Sequence, residues 1–460
     1  MRPPGRTSPL ILPPFWDEEV RRTGPLILYS AFTGALAGLL VALLNALLQR
    51  LTQTLGLLFG YLVPEPPGEG GLAQAFTGPR PWALALALPF LFALTSFLGT
   101  GRGLAALLRH AREGEPSPHL AYPRAVLGGT LQLSLYSPMG REGPFGVLGL
   151  WLGSALDRRF PRLGGGLAFA GLAAGLAASL HAPVAGALLA TEILYRGLLL
   201  EVRALTPALI GALSGFAVYG ALYGYTPLLP FPVAVGLEAI PSGLLLGLLA
   251  AGLSSLWLEG SRLVRGWLQP LAFPWRHALL GLALALALLL LPEALGTGLG
   301  WVGVATTPLL APGAALALLL AKVALLVLAL GVRAYGGPFT PALVLGGLLG
   351  AWLAKLSPGG PWTLTPEAAA LAGGAALLAA TARAPFAATV LAAEWGGYAA
   401  LPLVLPAVLL AYALTPAHDP EEGLRKEREG PVETPSERPP QSEPLLPGPE
   451  ADAGRETPPG

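Results

Sequence analysis

The run Gly140-Arg141-Glu142-Gly143-Pro144-Phe145 brings together residue types that can hold and release a dehydrated anion. Pro144 suits the first turn of a helix, where its missing N–H removes no internal bond. The glycines let backbone N–H groups approach a ligand closely. A helix N-terminus offers unpaired donors and about half a positive charge, so it attracts an anion without a full cationic side chain, which would bind too tightly to release it. Glu142 stands at that same electropositive end. Its carboxylate can occupy the site as an internal competitor, and protonation would clear the place. The plainer alternative is a simple helix cap, since acidic residues favour first helical turns. A second run, Gly336-Gly337-Pro338-Phe339-Thr340-Pro341-Ala342-Leu343, again sets glycine before a helix start. Taken alone it reads as a turn; paired with the first, two N-termini could converge on one ion.

The elements that must position these runs are membrane helices. Apolar residues make up 53% of the 460 and charged residues 12%, against about 25% charge in an ordinary soluble domain. Leu26 to Leu48 and Gly313 to Gly331 are long apolar stretches, the second interrupted only by Lys322, and Ala278 to Leu291 is apolar up to Pro292. Spanning the hydrocarbon takes about 20 such residues. Other apolar segments are too short or broken for that: Val147–Leu156, Leu167–Leu180, Ala182–Glu192 and Ala368–Ala380. Segments of this length suit re-entrant or broken helices, which survive only where protein or a cavity surrounds them.

The chain also repeats itself. Gly143-Pro144-Phe145 recurs as Gly337-Pro338-Phe339, 194 residues on. Ala182-Pro183-Val184-Ala185 leads to Glu192, and Ala384-Pro385-Phe386-Ala387 leads to Glu394, 202 residues later, each proline nine residues before its glutamate. Paired, Gly/Pro-interrupted helices at corresponding positions point to a site at the interface of two repeats, most commonly inverted ones. The expected fold is an all-α integral membrane protein of two inverted repeats, about 25–222 and 240–414, built from broken and re-entrant helices. Residues 1–24 read as a cytoplasmic arm, with Arg2, Arg6, Arg21 and Arg22 on the positive-inside pattern. The arm has no apolar core of the kind a signal peptide needs. Residues 415–460 read as an acidic, proline-rich disordered tail; from Pro416 on it holds eleven acidic and five basic residues.

Composition excludes several classes of function. A net charge of +1 suggests no nucleic-acid partner. Without cysteine, and with His110, His119, His181, His277 and His418 scattered, no metal site or cofactor is expected. His181 has only Ser179 nearby, so an intramembrane hydrolase is disfavoured and no enzyme activity is expected. Glu192 and Glu394 are candidates as intramembrane acids, or simply helix ends at the interface. Lys322 reads as a packed or snorkelling structural charge.

In sequence and order, these runs resemble the CLC chloride channel and transporter family, over roughly residues 25–414. The resemblance is to prokaryotic members without paired regulatory cytoplasmic domains. It implies a homodimer in the inner (plasma) membrane with one anion pathway per subunit. Glu142 matches the external gating glutamate, flanked by Arg141 and Gly143. Pro338, Phe339 and Thr340 match the second anion-coordinating helix start. Gly99-Thr100-Gly101 falls where the family has Gly-Ser-Gly, so Thr100 and Gly101 stand for the inner anion-binding turn, although Arg102-Gly103 replaces the usual Ile-Pro. Proton-coupled members carry an internal glutamate just after the position of Glu192, where this chain has Ile193; Glu192 is a substitute candidate for a proton pathway. The family's central tyrosine belongs near a final helix that this chain lacks, and Tyr412 lies inside the last apolar segment. The implied function is transport of small anions, chiefly chloride, gated by Glu142, as an anion/proton exchanger with weak or altered coupling; the alternative is a passive chloride channel modulated by voltage or pH. Pro144 after Gly143 fits the chloride or nitrate branches rather than the fluoride branch.

Overall fold

The structure is a computed structural model that describes residues 18–59, 82–98, 107, 121–161, 165–193, 198, 200–356 and 364–416. All of these lie within the compact unit Met1–Arg425. Most of the arm, Gly99-Thr100-Gly101 and the tail from residue 417 onward fall outside the described residues.

Fifteen α-helices carry the described chain. The first half comprises α1 (Glu18–Phe59), α2 (Trp82–Thr95), α3 (Ala121–Ser134), α4 (Glu142–Arg159), α5 (Leu167–Leu180), α6 (Pro183–Glu192) and α7 (Val202–Tyr223). The second comprises α8 (Ile240–Leu268), α9 (Phe273–Leu290), α10 (Leu299–Thr306), α11 (Pro312–Gly331), α12 (Phe339–Leu356), α13 (Pro366–Ala382), α14 (Pro385–Gly396) and α15 (Leu401–Leu414). Helix α1 begins at Glu18, so the first span reaches back into the expected arm and takes Pro25 into its interior. Among the described residues, six helices are long and apolar enough to cross a membrane. A seventh crossing is available if Pro385–Gly396 and Tyr398–Leu414, bent by 120°, count as one broken span. The protein is a multi-pass membrane protein. Leu43, Leu86, Phe90, Leu282, Leu286 and Leu320 point outward from the helices, as lipid-facing residues do. The short helices α5, α6, α13 and α14 sit inside this shell; every residue of α5 is buried.

Packing repeats as the sequence does. Helix α4 lies on α5 as α12 lies on α13, α1 on α7 as α8 on α15, and α5 on α7 as α13 on α15. The contacts are made by small residues. A Cβ on Gly149 would strike the carbonyl of Gly171, and one on Gly171 the carbonyl of Gly149; Gly346 and Gly373 stand in the same relation. Close backbone approach through small residues is how helices associate where lipid removes the hydrophobic drive between them.

Two observations show the repeats to be inverted. Gly140 and Gly337 pair as an isolated antiparallel bridge, each N–H donating to the other's carbonyl at 2.8 Å. Helices α6 and α14 also run antiparallel, because each ends in a glutamate that caps the other's first turn. Glu192 accepts from the N–H groups of Phe386 and Ala387 at 3.0 and 2.9 Å. Glu394 accepts from those of Val184 and Ala185 at 3.0 and 2.8 Å. The helix-end alternative for these glutamates therefore gives way to a specific one. Both helices start with Ala-Pro and have no side-chain cap of their own, so each borrows one from the other repeat.

The register of the repeat differs from the sequence expectation by three residues. Gly143-Pro144-Phe145 does not correspond to Gly337-Pro338-Phe339. Gly140 faces Gly337, α4 and α12 start at Glu142 and Phe339, and the left-handed residues Tyr136 (φ 61°) and Arg333 (φ 60°) precede them by the same interval. Three residues is close to one helical turn, and in either register a proline falls in the first turn. The Gly-Pro-Phe motif alone does not distinguish the two.

Candidate anion-binding site

The Gly140–Gly337 bridge brings the two helix starts together at the centre of the fold. Arg141 leads into α4 without a side-chain cap, so the next residue, Glu142, projects across the bridge rather than back along its own helix. Its side chain is completely buried. Glu142 Oε1 accepts from the N–H of Phe339 at 2.6 Å and of Thr340 at 2.9 Å, and Oε2 accepts from the Thr340 hydroxyl at 2.8 Å. A carboxylate from the first repeat thus sits on the N-terminus of the second repeat's helix α12, where unpaired N–H groups and the helix dipole favour negative charge. Hydrogen bonds to a charged group each contribute about 1.5–3 kcal/mol. The arrangement suits an anion, and the group seated on it is a carboxyl of the chain itself.

Glycine makes the slot. A Cβ on Gly337 would collide with Cγ and Cδ of Glu142, one on Gly140 with its carboxylate, and one on Gly143 with the backbone of Gly336 and Gly337. Gly336 adopts φ +130°, a conformation that side-chain-bearing residues rarely take. Opposite this wall, Gly129 of α3 lies against the Pro144 ring and Gly128 against the Tyr335 ring, so α3 supports both helix starts at once.

Of the residues singled out from sequence, Glu142, Gly143, Pro338, Phe339 and Thr340 meet here. Arg141 is adjacent in the chain, but its guanidinium turns toward the Ser179 carbonyl, 3.3 Å away at the end of α5, and lies 5.9 Å from the Phe145 ring centroid. Thr100 and Gly101 lie outside the described residues. Glu192 is engaged at α14, as described above. Ile193 is buried, and the Tyr412 carbonyl and ring are both engaged by Arg383, whose Cζ lies 3.7 Å from the ring centroid.

Sequence reasoning missed the supports behind the site. Gln132 of α3 accepts from the Tyr335 N–H at 2.8 Å and donates to the Thr95 hydroxyl at 2.8 Å, tying α2 and α3 to the loop before α12. A glutamine inside an apolar helix is a signal that could have marked it. Lys322 is 1% exposed. Its Nζ donates to the carbonyls of Ala294, Gly296 and Thr297 at 3.2, 3.1 and 3.3 Å. That loop in turn reaches the first repeat: the Gly296 N–H donates to the Tyr136 carbonyl at 2.9 Å and the Thr297 hydroxyl to the Met139 carbonyl at 3.3 Å. Lys322 is the packed structural charge expected, and it braces the segment that delivers Glu142.

Comparison with known proteins agrees with this architecture. The chain is 34% identical over 299 residues to a voltage-gated ClC-type chloride channel, ClcB, of Salmonella typhimurium, covering 61% of this chain and 69% of that protein. The Shigella flexneri protein of the same name is 33% identical over 306 residues, covering 63% and 71%. Two crystal structures share the fold at a TM-score of 0.72. A slow cyanobacterial Cl-/H+ antiporter is 24% identical, with 86% of this chain and 96% of that chain covered. A CLC-type fluoride/proton antiporter is 22% identical, with 87% and 97% covered. Residues 91–416 match the voltage gated chloride channel family, and the chain belongs to that family.

Proposed function

We propose that this protein carries small anions, chiefly chloride, across the inner (plasma) membrane as an anion/proton exchanger with weak or altered coupling, and that Glu142 is its gate. The observation that carries this reading is the Glu142 carboxylate on Phe339 N–H, Thr340 N–H and Thr340 Oγ1. While ionised, Glu142 fills the place of the transported ion. Once protonated it loses its claim on three donors, which then face an ion of similar size and charge. Anion and proton thus compete for one seat, and that competition is the physical basis of exchange. Gly143 and Pro338 shape the seat, and Thr100 with Gly101 take part in binding the anion. The relatives named as chloride channels and the structural neighbours named as antiporters bracket the two transport modes. The pathway belongs to one subunit of a homodimer.

Ile193 favours a second reading. A buried isoleucine cannot hand on a proton, so a passive channel in which Glu142 opens and closes without coupled turnover fits that position better. Reversal potentials in proteoliposomes separate the two. An exchanger's potential shifts when a pH gradient is imposed and its anion gradient drives protons uphill; a potential set by the anion gradient alone would leave only the channel.

A further inference from the structure

We propose that His277 is the protonatable group through which the inner aqueous phase exchanges protons with the anion pathway. This inference rests on the exchange reading above and supplies what Ile193 does not. His277 lies in the second turn of α9 and is completely buried. Its Nδ1 lies 3.1 Å from the Phe273 carbonyl one turn earlier, and a carbonyl can only accept. In the neutral ring the proton therefore sits on Nδ1, leaving Nε2 as a bare acceptor. No group among the described residues bonds Nε2. A buried acceptor without a partner is uncommon enough to need an explanation, and proton uptake provides one.

Position argues the same way. Trp275, 68% exposed, and Arg276 flank His277 on the outer surface of the first turn. Arg276 donates to the carbonyls of Gln269 and Leu271 in the α8–α9 turn, and Arg262 and Arg265 stand at the end of α8. An aromatic anchor with clustered arginines marks an interface on the cytoplasmic side, one helical turn from His277. On its inner side the imidazole faces the Tyr335 ring, with centroids 6.4 Å apart. Tyr335 precedes Gly336 and Gly337, the wall of the Glu142 slot. His277 thus stands between the inner interface and the gate, one aromatic ring behind that wall.

The charged and titratable groups around it are few. Arg276 shares its helix, Arg333 and Tyr335 lie in the loop before α12, and Arg124 of α3 lies near Tyr335. Packed against α9 are α11, with Lys322, and the turn Pro292–Ala294, with Glu293. Helix α2 and the turn Ser96–Leu98 carry no titratable residue. No carboxylate other than Glu293 is available on these elements to take the role.

The test uses purified full-length protein in liposomes, with chloride efflux and proton movement recorded together while the inner pH is varied. His277→Gln keeps the size and hydrogen-bonding capacity and cannot take a proton in this range. It should leave chloride efflux at the wild-type level while cutting proton movement about a hundredfold, the low end for a positioned proton acceptor, and flattening the inner-pH response. His277→Glu, protonatable again, should restore that response displaced toward lower pH. Wild-type proton movement and pH response in His277→Gln would overturn the inference, as would a wild-type protein indifferent to inner pH, which needs no variant at all. Glu142→Ala separates the two readings. If it loses the pH response while His277→Gln keeps it, only His277 falls; if Glu142→Ala keeps the response, the gate reading falls and this inference with it.

Discussion

In the first repeat the chain turns through a left-handed Tyr136 and a glycine at 140 and enters α4 at Glu142; in the second it turns through a left-handed Arg333 and a glycine at 337 and enters α12 at Phe339. Both helices are 18 residues long, and both rest on their neighbour through glycines at matching places. Backbone and packing follow the inverted symmetry closely, whereas the chemistry does not. Only the first repeat supplies a carboxylate, and the hydroxyl it meets, Thr340, comes from the second. Symmetry builds a frame in which two helix N-termini face each other, and only one of the two sides places an acid in it. Two facing carboxylates would repel each other; two apolar residues would leave the donors always open.

Removing the acid is the strongest way to break this asymmetry. Glu142→Ala should raise chloride efflux from liposomes by about tenfold or more, since even one charge-assisted bond of about 1.5 kcal/mol corresponds to a factor of ten. It should also abolish the dependence of flux on pH. Unaltered efflux with the pH response intact would remove Glu142 from the gate.

The reciprocal caps test the symmetric part of the comparison. Glu192→Ala leaves the N–H groups of Phe386 and Ala387 without their acceptor, and Glu394→Ala does the same to Val184 and Ala185. A buried donor left unpaired costs about 1–3 kcal/mol, which applies fully to Ala387 and in part to Phe386 and Ala185, so both variants should unfold at lower temperature in detergent. The loss should be larger for Glu192, which is fully buried, than for Glu394, which is partly exposed. Should either variant match the wild-type melting temperature, the α6–α14 clamp contributes nothing at that end.

Lys322 tests a support that has no twin. The matching position in the first repeat is Ala125, yet the loop Lys322 holds braces the first repeat's turn at Tyr136 and Met139. Lys322→Met keeps the bulk and frees three carbonyls. It should lower stability by about 1–3 kcal/mol and loosen the Glu142 turn, read as basal efflux with a weakened pH response. Loss of stability with a normal pH response would confine Lys322 to the fold.

Much of this frame was legible in the sequence because glycine, proline and terminal glutamates report directly on backbone. The Leu167–Leu180 helix was delimited to the residue, and the Ala-Pro starts of α6 and α14 with their glutamates marked true equivalents. Gly140–Pro144 was read as a helix start, and α4 does begin there, at Glu142. What escaped depends on contacts distant in the chain. The three-residue register between α4 and α12 is fixed by the Gly140–Gly337 bridge, which no local pattern contains. The exchange of Glu192 and Glu394 between repeats is invisible to either segment alone. Of the ten tryptophans, a residue type enriched at membrane interfaces, Trp257, Trp301 and Trp395 lie in the core instead, which residue type alone does not reveal. Nothing in the bare spacing marked His277, whose ring meets Phe273 of its own helix and Tyr335 of the loop before α12.

The smallest expected effect concerns the hydroxyl of Thr340. Thr340→Val removes one of three donors but removes it from the carboxylate and the passing anion alike. Only an interaction stronger in one occupant than in the other shifts the balance between them, so the lost bond largely cancels. A carboxylate oxygen fixed on the protein meets the hydroxyl at 2.8 Å, while a mobile ion can shift toward the two N–H donors that remain. The variant should therefore weaken the internal competitor slightly more than the ion. Efflux should rise by a small factor, about threefold on a difference of about 0.6 kcal/mol, with Thr340→Ser at the wild-type rate. A Thr340→Val effect as large as that of Glu142→Ala would mean that the hydroxyl, rather than the helix N-terminus, holds the gate shut.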